Sequence, residues 1–423
     1  MHNLVDLART TRKWTRAQLA EALGRDPTKV YPESANPKAD YLISLAKALE
    51  WPVGDVIEAV WGEDDPRARL NANKKGQSHA ELVEQDRASA AQHWQQWNKH
   101  HVAGSHRDAL ATARGLFKAA HTDEYKAYAS HLEAAALEGM GQYAKSAEVA
   151  RRGLEYAAVS PRTRNALRAG LANAWYSMWE LAPALGECEV VIAYYEKNPP
   201  DKRVDWKRRA FVRYVRGNVR RRLAVIEPDM ADEHYARAIE DLNFASTVYE
   251  DLANELEDSS LLGIVNTCLG GVMEAEAELG KRNAANTIHE MLESTTAALG
   301  AEQPPVGDWL ESWGWWSIFG SNMALRHLKG AEAQQVTKRF LNHGLVVAEQ
   351  LDHWAMRERI FTLQLALHET LVGSTGFEIP FVLPGSQRRS VFGTIGRIPR
   401  FREQGWQILE TAQFVETAEE VAR

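Results

Sequence analysis

The sequence predicts an all-α chain: a small N-terminal helical bundle, an α-solenoid of antiparallel helical hairpins over residues 81–370, and a mixed or irregular extension after them. Three observations carry this expectation. Between 125 and 161, Tyr125, Ala129, Leu132, Ala136 and Met140 recur at helical spacing, Gly141-Gln142 interrupts, and Tyr143, Ala147, Ala150, Leu154 and Ala157 resume the period before Pro161. Comparable paired stripes recur along the chain to about residue 370. The first sixty-two residues carry shorter apolar periods of their own, separated from the rest by the polar segment 63–80. A single hairpin leaves an apolar face uncovered, so the hairpins are expected to stack into a curved array with a concave side free to bind.

Bulk composition narrows the classes. With 45% hydrophobic and 25% charged residues over 423 positions, the chain has ordinary globular composition and is not disordered. A net charge of −7 provides no global attraction to nucleic acid, so any DNA contact must come from a local surface. The two cysteines, Cys188 and Cys268, lie in separate helical stretches, which argues against a disulfide framework and fits a reducing compartment. The start lacks a basic region followed by an apolar run, and no stretch approaches eighteen uninterrupted apolar residues. A cytoplasmic protein with no membrane partner is the expectation.

Residues 4–62 predict five short helices, at about 4–12, 16–23, 27–31, 39–49 and 53–60. Thr15 precedes Arg16-Ala17-Gln18, a cap with Gln at the third helical position, and Gly24 ends the apolar face formed by Leu19, Ala20 and Leu23. Asp26 can cap the next turn, with Pro27 at its first position, where a missing amide donor costs nothing. Leu42, Leu45, Ala46 and Leu49 supply another buried stripe, closed by Val53, Val56, Ile57 and Val60.

The run Trp14 to Gly24, then Val30, then Leu42 to Leu49 resembles the Cro/C1-type helix-turn-helix family. The resemblance implies that the residues after Gly24 form a recognition helix, with Asp26, Thr28, Lys29 and Tyr31 at or near the major groove of double-stranded DNA and Gln18 anchoring a phosphate. Pro32, two residues past Val30, should keep that helix short. Residues 1–62 hold eight basic and eight acidic side chains, but Arg12, Lys13, Arg16, Arg25 and Lys29 crowd toward the motif, so phosphate contact would be local and salt-sensitive. A module retained for packing or protein contact is the alternative.

Within 125–161, Gly141, Tyr143, Ser146, Ala150, Gly153 and Leu154 resemble the second half of a tetratricopeptide repeat, with Pro161 slightly beyond that family's terminal proline. Further units are expected at 165–197, broken at Leu181-Ala182-Pro183; 206–254, broken near Glu227-Pro228-Asp229; 260–299, broken at Gly280-Lys281; and 312–351, broken at Lys329-Gly330. A helix at 355–370 begins or caps a last unit. Helix 80–99 precedes them. Seven histidines fall between His79 and His131, but none of their spacings makes a His-Glu-x-x-His site, so no metal is expected.

Two surfaces are candidates for ligand binding. Between Asp201 and Arg222 lie ten basic and two acidic residues, and Arg209, Arg213, Arg216 and Arg220 line one helical face. Facing inward, this stripe could hold a peptide carboxylate, an acidic peptide or a phosphate-bearing ligand, with Asn218 bonding a main chain, so a peptide, an anionic small molecule or a protein is the expected effector. Facing outward, it could be solvated, paired with the acidic helices around Glu250–Asp258, or a second DNA contact. The aromatic segment from Trp309 to Phe319 places Trp309, Trp313 and Trp316 on one face, read either as core or as a ligand pocket or subunit contact.

No phosphate loop, dinucleotide fingerprint or nucleophile elbow occurs, so neither a catalytic site nor a cofactor is expected. Beyond residue 370, Phe377–Leu383 and Val391–Ile398 read as extended, Gly385–Ser390 as a polar turn and 402–421 as a terminal helix; together, 371–423 would be a cap, arm or subunit contact. The two resemblances together imply a one-component transcription regulator, homodimeric on DNA, whose repeats bind an effector. The rival is a non-enzymatic protein-interaction scaffold whose first module no longer reads DNA.

Overall fold

The computed structural model describes residues 2–31, 38–49, 51, 53, 56, 78–377 and 379–416. Most of the expected helix 53–60 and of the expected linker 63–80 lies outside these residues, as does Pro32. The chain divides into two compact units, one of residues 1–76, 384–389 and 414–423, the other of residues 77–383 and 390–413.

In the first unit, α1 (His2–Thr11), α2 (Arg16–Ala22) and α3 (Ala39–Leu49) surround a core that includes Val5, Leu19, Leu42 and Leu45. The capping box forms as the sequence suggests: the Thr15 hydroxyl accepts from the Gln18 amide at 3.3 Å, and the Gln18 side chain accepts from the Thr15 amide at 2.9 Å. Gly24 leaves the helix at φ +62°, a conformation that suits a residue without a Cβ. The expected helix at 27–31 is a single 3-10 turn, Pro27–Lys29, capped by Asp26.

The second unit is a run of stacked helical hairpins: α4 (His79–Val102) with α5 (His106–Ala119), α6 (Asp123–Gly139) with α7 (Tyr143–Leu154), and α8 (Pro161–Ser177) with α9 (Leu181–Lys197). These are followed by α10 (Arg203–Ile226) with α11 (Ala231–Leu256), α12 (Leu262–Glu278) with α13 (Ala284–Leu299), α14 (Gly307–His327) with α15 (Gly330–Gln350), and then α16 (Trp354–Thr375). Partners within each hairpin pack together, and first helices of successive hairpins also touch, as α6 does α8 and α8 does α10. This is solenoid-like packing, in which each hairpin covers the apolar face of the one before it. Pro161 does not close the α6–α7 hairpin. It opens α8 at the first helical position, with the Ser160 hydroxyl capping the Thr163 amide at 3.3 Å.

Helix α16 returns to hairpins far earlier in the chain. The Ala355 amide at its start donates to the Tyr143 hydroxyl at 3.1 Å, and the Trp354 ring fills the space a Cβ would need at Gly141, with 2.4 Å between them. After α16 come β1 (Val382–Pro384), α17 (Gly385–Arg397), a 3-10 turn (Pro399–Phe401), α18 (Arg402–Thr411) and β2 (Gln413–Val415), with the two strands paired. The expected polar turn at 385–390 and extended stretch at 391–398 are therefore corrected to one helix. Val391, Phe392, Ile395 and Ile398 bury at three-to-four spacing, and Gly393 admits the Trp354 ring within 2.3 Å of where a Cβ would stand. The expected helix over 402–421 ends at Thr411, and residues 413–415 are strand.

Candidate functional site

The α2 edge of the first unit presents Arg16, Gln18, Asp26, Thr28 and Lys29 to solvent, with Arg25 and Tyr31 half-buried. Their polar atoms are partly committed to building that edge. Asp26 accepts from both the amide and the hydroxyl of Thr28, at 2.8 and 2.5 Å, and these bonds hold its carboxyl below the ordinary range. Tyr31 donates to Asp6 at 2.5 Å, which ties the turn to α1 and raises the phenol pKa. Arg25 lies over the Tyr41 ring at 5.1 Å, and the Tyr41 hydroxyl donates to the Val30 carbonyl at 2.9 Å. What remains exposed on this edge is the Lys29 ammonium, the Gln18 carboxamide nitrogen and the Arg16 guanidinium, which also donates to the Thr28 carbonyl at 3.5 Å.

The arginine stripe of α10 runs between α9 and α11 and is met there by carboxylates. Arg216 forms a fork onto Asp241, with both bonds at 2.7 Å, and reaches Glu189 at 2.8 Å. Arg213 reaches Asp241 at 3.2 Å, and Arg220 reaches Glu189 at 3.3 Å. Arg209 stacks over Trp206 at 5.5 Å and Phe244 at 5.0 Å. Asn218 is engaged within its own helix, donating to the Tyr214 carbonyl at 2.9 Å and accepting from Arg221 at 2.8 Å. The neutralising carboxylates are thus Glu189 and Asp241, not those around Glu250–Asp258.

The aromatic helix α14 divides its rings. Trp313 and Trp316 sit in the core shared by α12 to α16, and Trp316 donates to the Asn266 carbonyl at 2.7 Å. Trp309, at the first turn, is 39% exposed and belongs to no such cluster. Trp315 and Phe319 belong to the same core and also border a cavity.

That cavity, about 80 Å³, opens between the C-terminal parts of α8, α10 and α12, the middle and end of α14, and the first two turns of α16. Tyr176, Trp179, Arg221, Arg222, Phe319 and Arg359 form its charged and aromatic wall. Rings hold the guanidinium groups by their faces: Arg222 stands 3.8 Å from the Tyr176 centroid and 4.3 Å from that of Trp179, and Arg221 stands 3.9 Å from Phe319. A guanidinium stacked in this way keeps its N–H edge available for acceptors. Arg222 gives one donor to the Tyr176 carbonyl at 2.6 Å, at the C-terminal end of α8 where a cation is favoured. Burial lowers the pKa of Arg222 and brings that of Arg221 down to about 10.

Trp179 sits in the turn between α8 and α9 at φ +67°, where the turns after α4, α6 and α12 use Gly104, Gly141 and Gly280 at φ +71°, +70° and +68°. A bulky side chain in the left-handed region is strained, and such strain persists where the surroundings over-determine it. Here the indole N–H donates to Glu358 at 3.2 Å, while Arg222, Arg359 and Arg400 crowd its ring. Sequence reasoning missed this position. Its available signal was a Trp standing where the breaks at Gly104, Gly141 and Gly280 carry Gly.

A second polar cluster lies along the same interior. Trp315 donates to Glu311 at 2.9 Å, His353 contacts the same carboxylate at 3.2 Å through Nε2, and His353 Nδ1 accepts from the Met356 amide at 3.2 Å. Those bonds assign the Nε2–H tautomer to a neutral His353. Glu138 accepts from Asn173, and burial pushes its carboxyl up to about 7.

Among the described residues no group of three or more His, Cys, Asp or Glu is placed to hold a metal, and no helix is long and apolar enough to cross a membrane. No protein-family model, curated protein or solved structure matches the chain significantly.

Proposed function

We propose that this chain is a DNA-binding transcription regulator whose N-terminal unit is a Cro/C1-type helix-turn-helix and whose tetratricopeptide-like repeats bind an effector. The observation that carries the reading is the α2 edge: a capped helix and a rigid turn that leave Arg16, Gln18, Thr28 and Lys29 exposed together. Arg16 and Lys29 are suited to phosphate contact, and Thr28 to a base edge or a phosphate. So small a module gains affinity and specificity by acting as a homodimer on two half-sites. An effector held in the repeats would shift the operator affinity by binding one arrangement of the dimer better than another.

Fluorescence-anisotropy titration of duplex DNA with the full-length chain tests this. The wild type should bind with marked salt dependence, and the Arg25→Ala/Lys29→Ala variant should bind substantially more weakly while keeping its helical content. Equal binding by the two proteins removes the assigned surface.

The commitment of Asp26 and Tyr31 to internal bonds supports a second reading, a protein-interaction scaffold whose first unit no longer reads bases. Absence of any duplex binding by the wild type selects that reading.

A further inference from the structure

We propose that the chamber beside Trp179 is a binding site for the phosphoryl group of a small molecule, held by Arg222, Arg359 and Arg400. The argument rests on charge, geometry and strain.

Five guanidinium groups gather at this place: Arg221, Arg222, Arg326 and Arg359 line the cavity, and Arg400 reaches the Trp179 ring at 5.0 Å from the 3-10 turn. Three carboxylates answer them. Glu274 pairs with Arg221 and Arg326, Glu278 with Arg326 at 2.8 Å, and Glu358 lies 3.7 Å from Arg359. Five against three leaves two positive charges, and the pairing is uneven. Arg221 and Arg326 have close carboxylates, whereas Arg222 bonds a backbone carbonyl and two aromatic faces. Arg359 has only the long contact to Glu358 and, like Arg400, a ring face. The excess therefore lies around Trp179.

Arg222 and Arg359 are largely withdrawn from water, and like charges held so are costly unless an anion joins them, while the exposed Arg400 adds its charge from outside the cavity lining. A group carrying two negative charges balances the excess. Three guanidinium groups converge on one indole, at 4.3, 4.5 and 5.0 Å from its centroid. A phosphoryl group presents three oxygens in different directions and can accept from several forks together, whereas one planar carboxylate is matched by a single fork. The left-handed Trp179 is the device that brings the three together, which accounts for a strained residue at a turn where other hairpins use glycine. Trp315, Ile318 and Phe319 supply an apolar wall for whatever carries the phosphoryl group.

This deepens the regulator reading by naming the effector's chemistry. The test contains no duplex, so its failure leaves the DNA reading standing, and failure to bind DNA leaves the site standing.

Isothermal titration calorimetry of the full-length chain, in chloride buffer at constant ionic strength, would compare orthophosphate, phenyl phosphate and succinate. Saturable binding of a phosphate at one site is expected. Arg222→Gln should weaken it roughly tenfold or more, since charged hydrogen bonds are lost. Arg359→Gln should act in the same direction and serves if the first variant does not fold, while the remote Arg282→Gln should leave affinity unchanged. Tighter binding of phenyl phosphate than of orthophosphate assigns the site to an organic phosphomonoester; equal or tighter orthophosphate assigns it to the free ion. No saturable binding of either phosphate, unchanged affinity in the folded Arg222 and Arg359 variants, or tighter binding of succinate than of both would each overturn the proposal.

Discussion

The indole N–H of Trp179, in the turn joining α8 to α9, donates to the Glu358 carboxylate on α16 at 3.2 Å, across 179 positions of sequence. With the bond from the Ala355 amide to Tyr143, it fastens the start of α16 to the second and third hairpins of the array. A stack of nearest neighbours thereby acquires long-range ties, and the cavity beside Trp179 acquires a wall from α16.

The strain at Trp179 can be measured separately from its contacts. Trp179→Gly and Trp179→Ala lose the same indole, but only glycine adopts φ +67° freely. The glycine variant should be more stable by about 1 kcal/mol in chemical denaturation. Equal midpoints for the two variants would show that the turn is unstrained.

The Tyr143 hydroxyl is the acceptor for a buried amide. Tyr143→Phe keeps the ring and leaves the Ala355 N–H without that partner, which should cost about 1–3 kcal/mol. Amide exchange should accelerate at the start of α16 before it does elsewhere. Wild-type protection at Ala355 in the variant contradicts the tie.

The two carboxylates of the arginine stripe should differ in worth. Asp241 is 1% exposed and serves Arg213 and Arg216, so Asp241→Asn should destabilise by about 3–5 kcal/mol. The Glu189 side chain is 47% exposed, and Glu189→Gln should cost less than about 1 kcal/mol. Similar losses from both would mean that burial does not govern the pairing.

The hairpin breaks at Glu227-Pro228, Gly280-Lys281 and Lys329-Gly330 were legible because proline and glycine punctuate helices for local reasons. Pro161 was misread because proline both follows helices and opens them, and only Ser160 distinguishes the two. The stretch from Val391 to Ile398 looked extended from its β-branched residues and glycines. It is helical, with Val391, Phe392, Ile395 and Ile398 buried at three-to-four spacing, and the close approach of Trp354 to Gly393 is a contact invisible in a local window. The arginine stripe was visible as a face, but its partners were not, since Asp241 and Glu189 approach from neighbouring helices. The chamber escaped notice for the same reason: its arginines come from four separate segments, and Arg222, Arg359 and Arg400 meet only at Trp179.

Glu138 gives the interior a pH signature. Its carboxyl titrates near 7 in the fold against 4.5 ordinarily, because burial disfavours the charge. The folded state therefore holds a proton that the unfolded chain has released. The associated stability is fully present below about 4.5 and is lost as pH rises toward 7, a change on the order of 3 kcal/mol. His101 and His131, lowered by burial to about 4 from 6.5, act in the opposite sense and remove stability as pH falls through that range. Between about pH 4.5 and 6.5 the two histidines outweigh the one carboxyl, so stability should rise with pH, and Glu138→Gln should make that rise steeper than in wild type. Parallel stability–pH curves for the two proteins contradict the assignment.

The regulator reading is tested most directly by affinity selection from a random duplex library with the full-length chain. The account predicts enrichment of a defined sequence, bound more weakly as salt rises and no longer enriched by the Arg16→Ala/Lys29→Ala variant. Recovery of no preferred sequence by the wild type, or the same sequence recovered equally well by the variant, would contradict it.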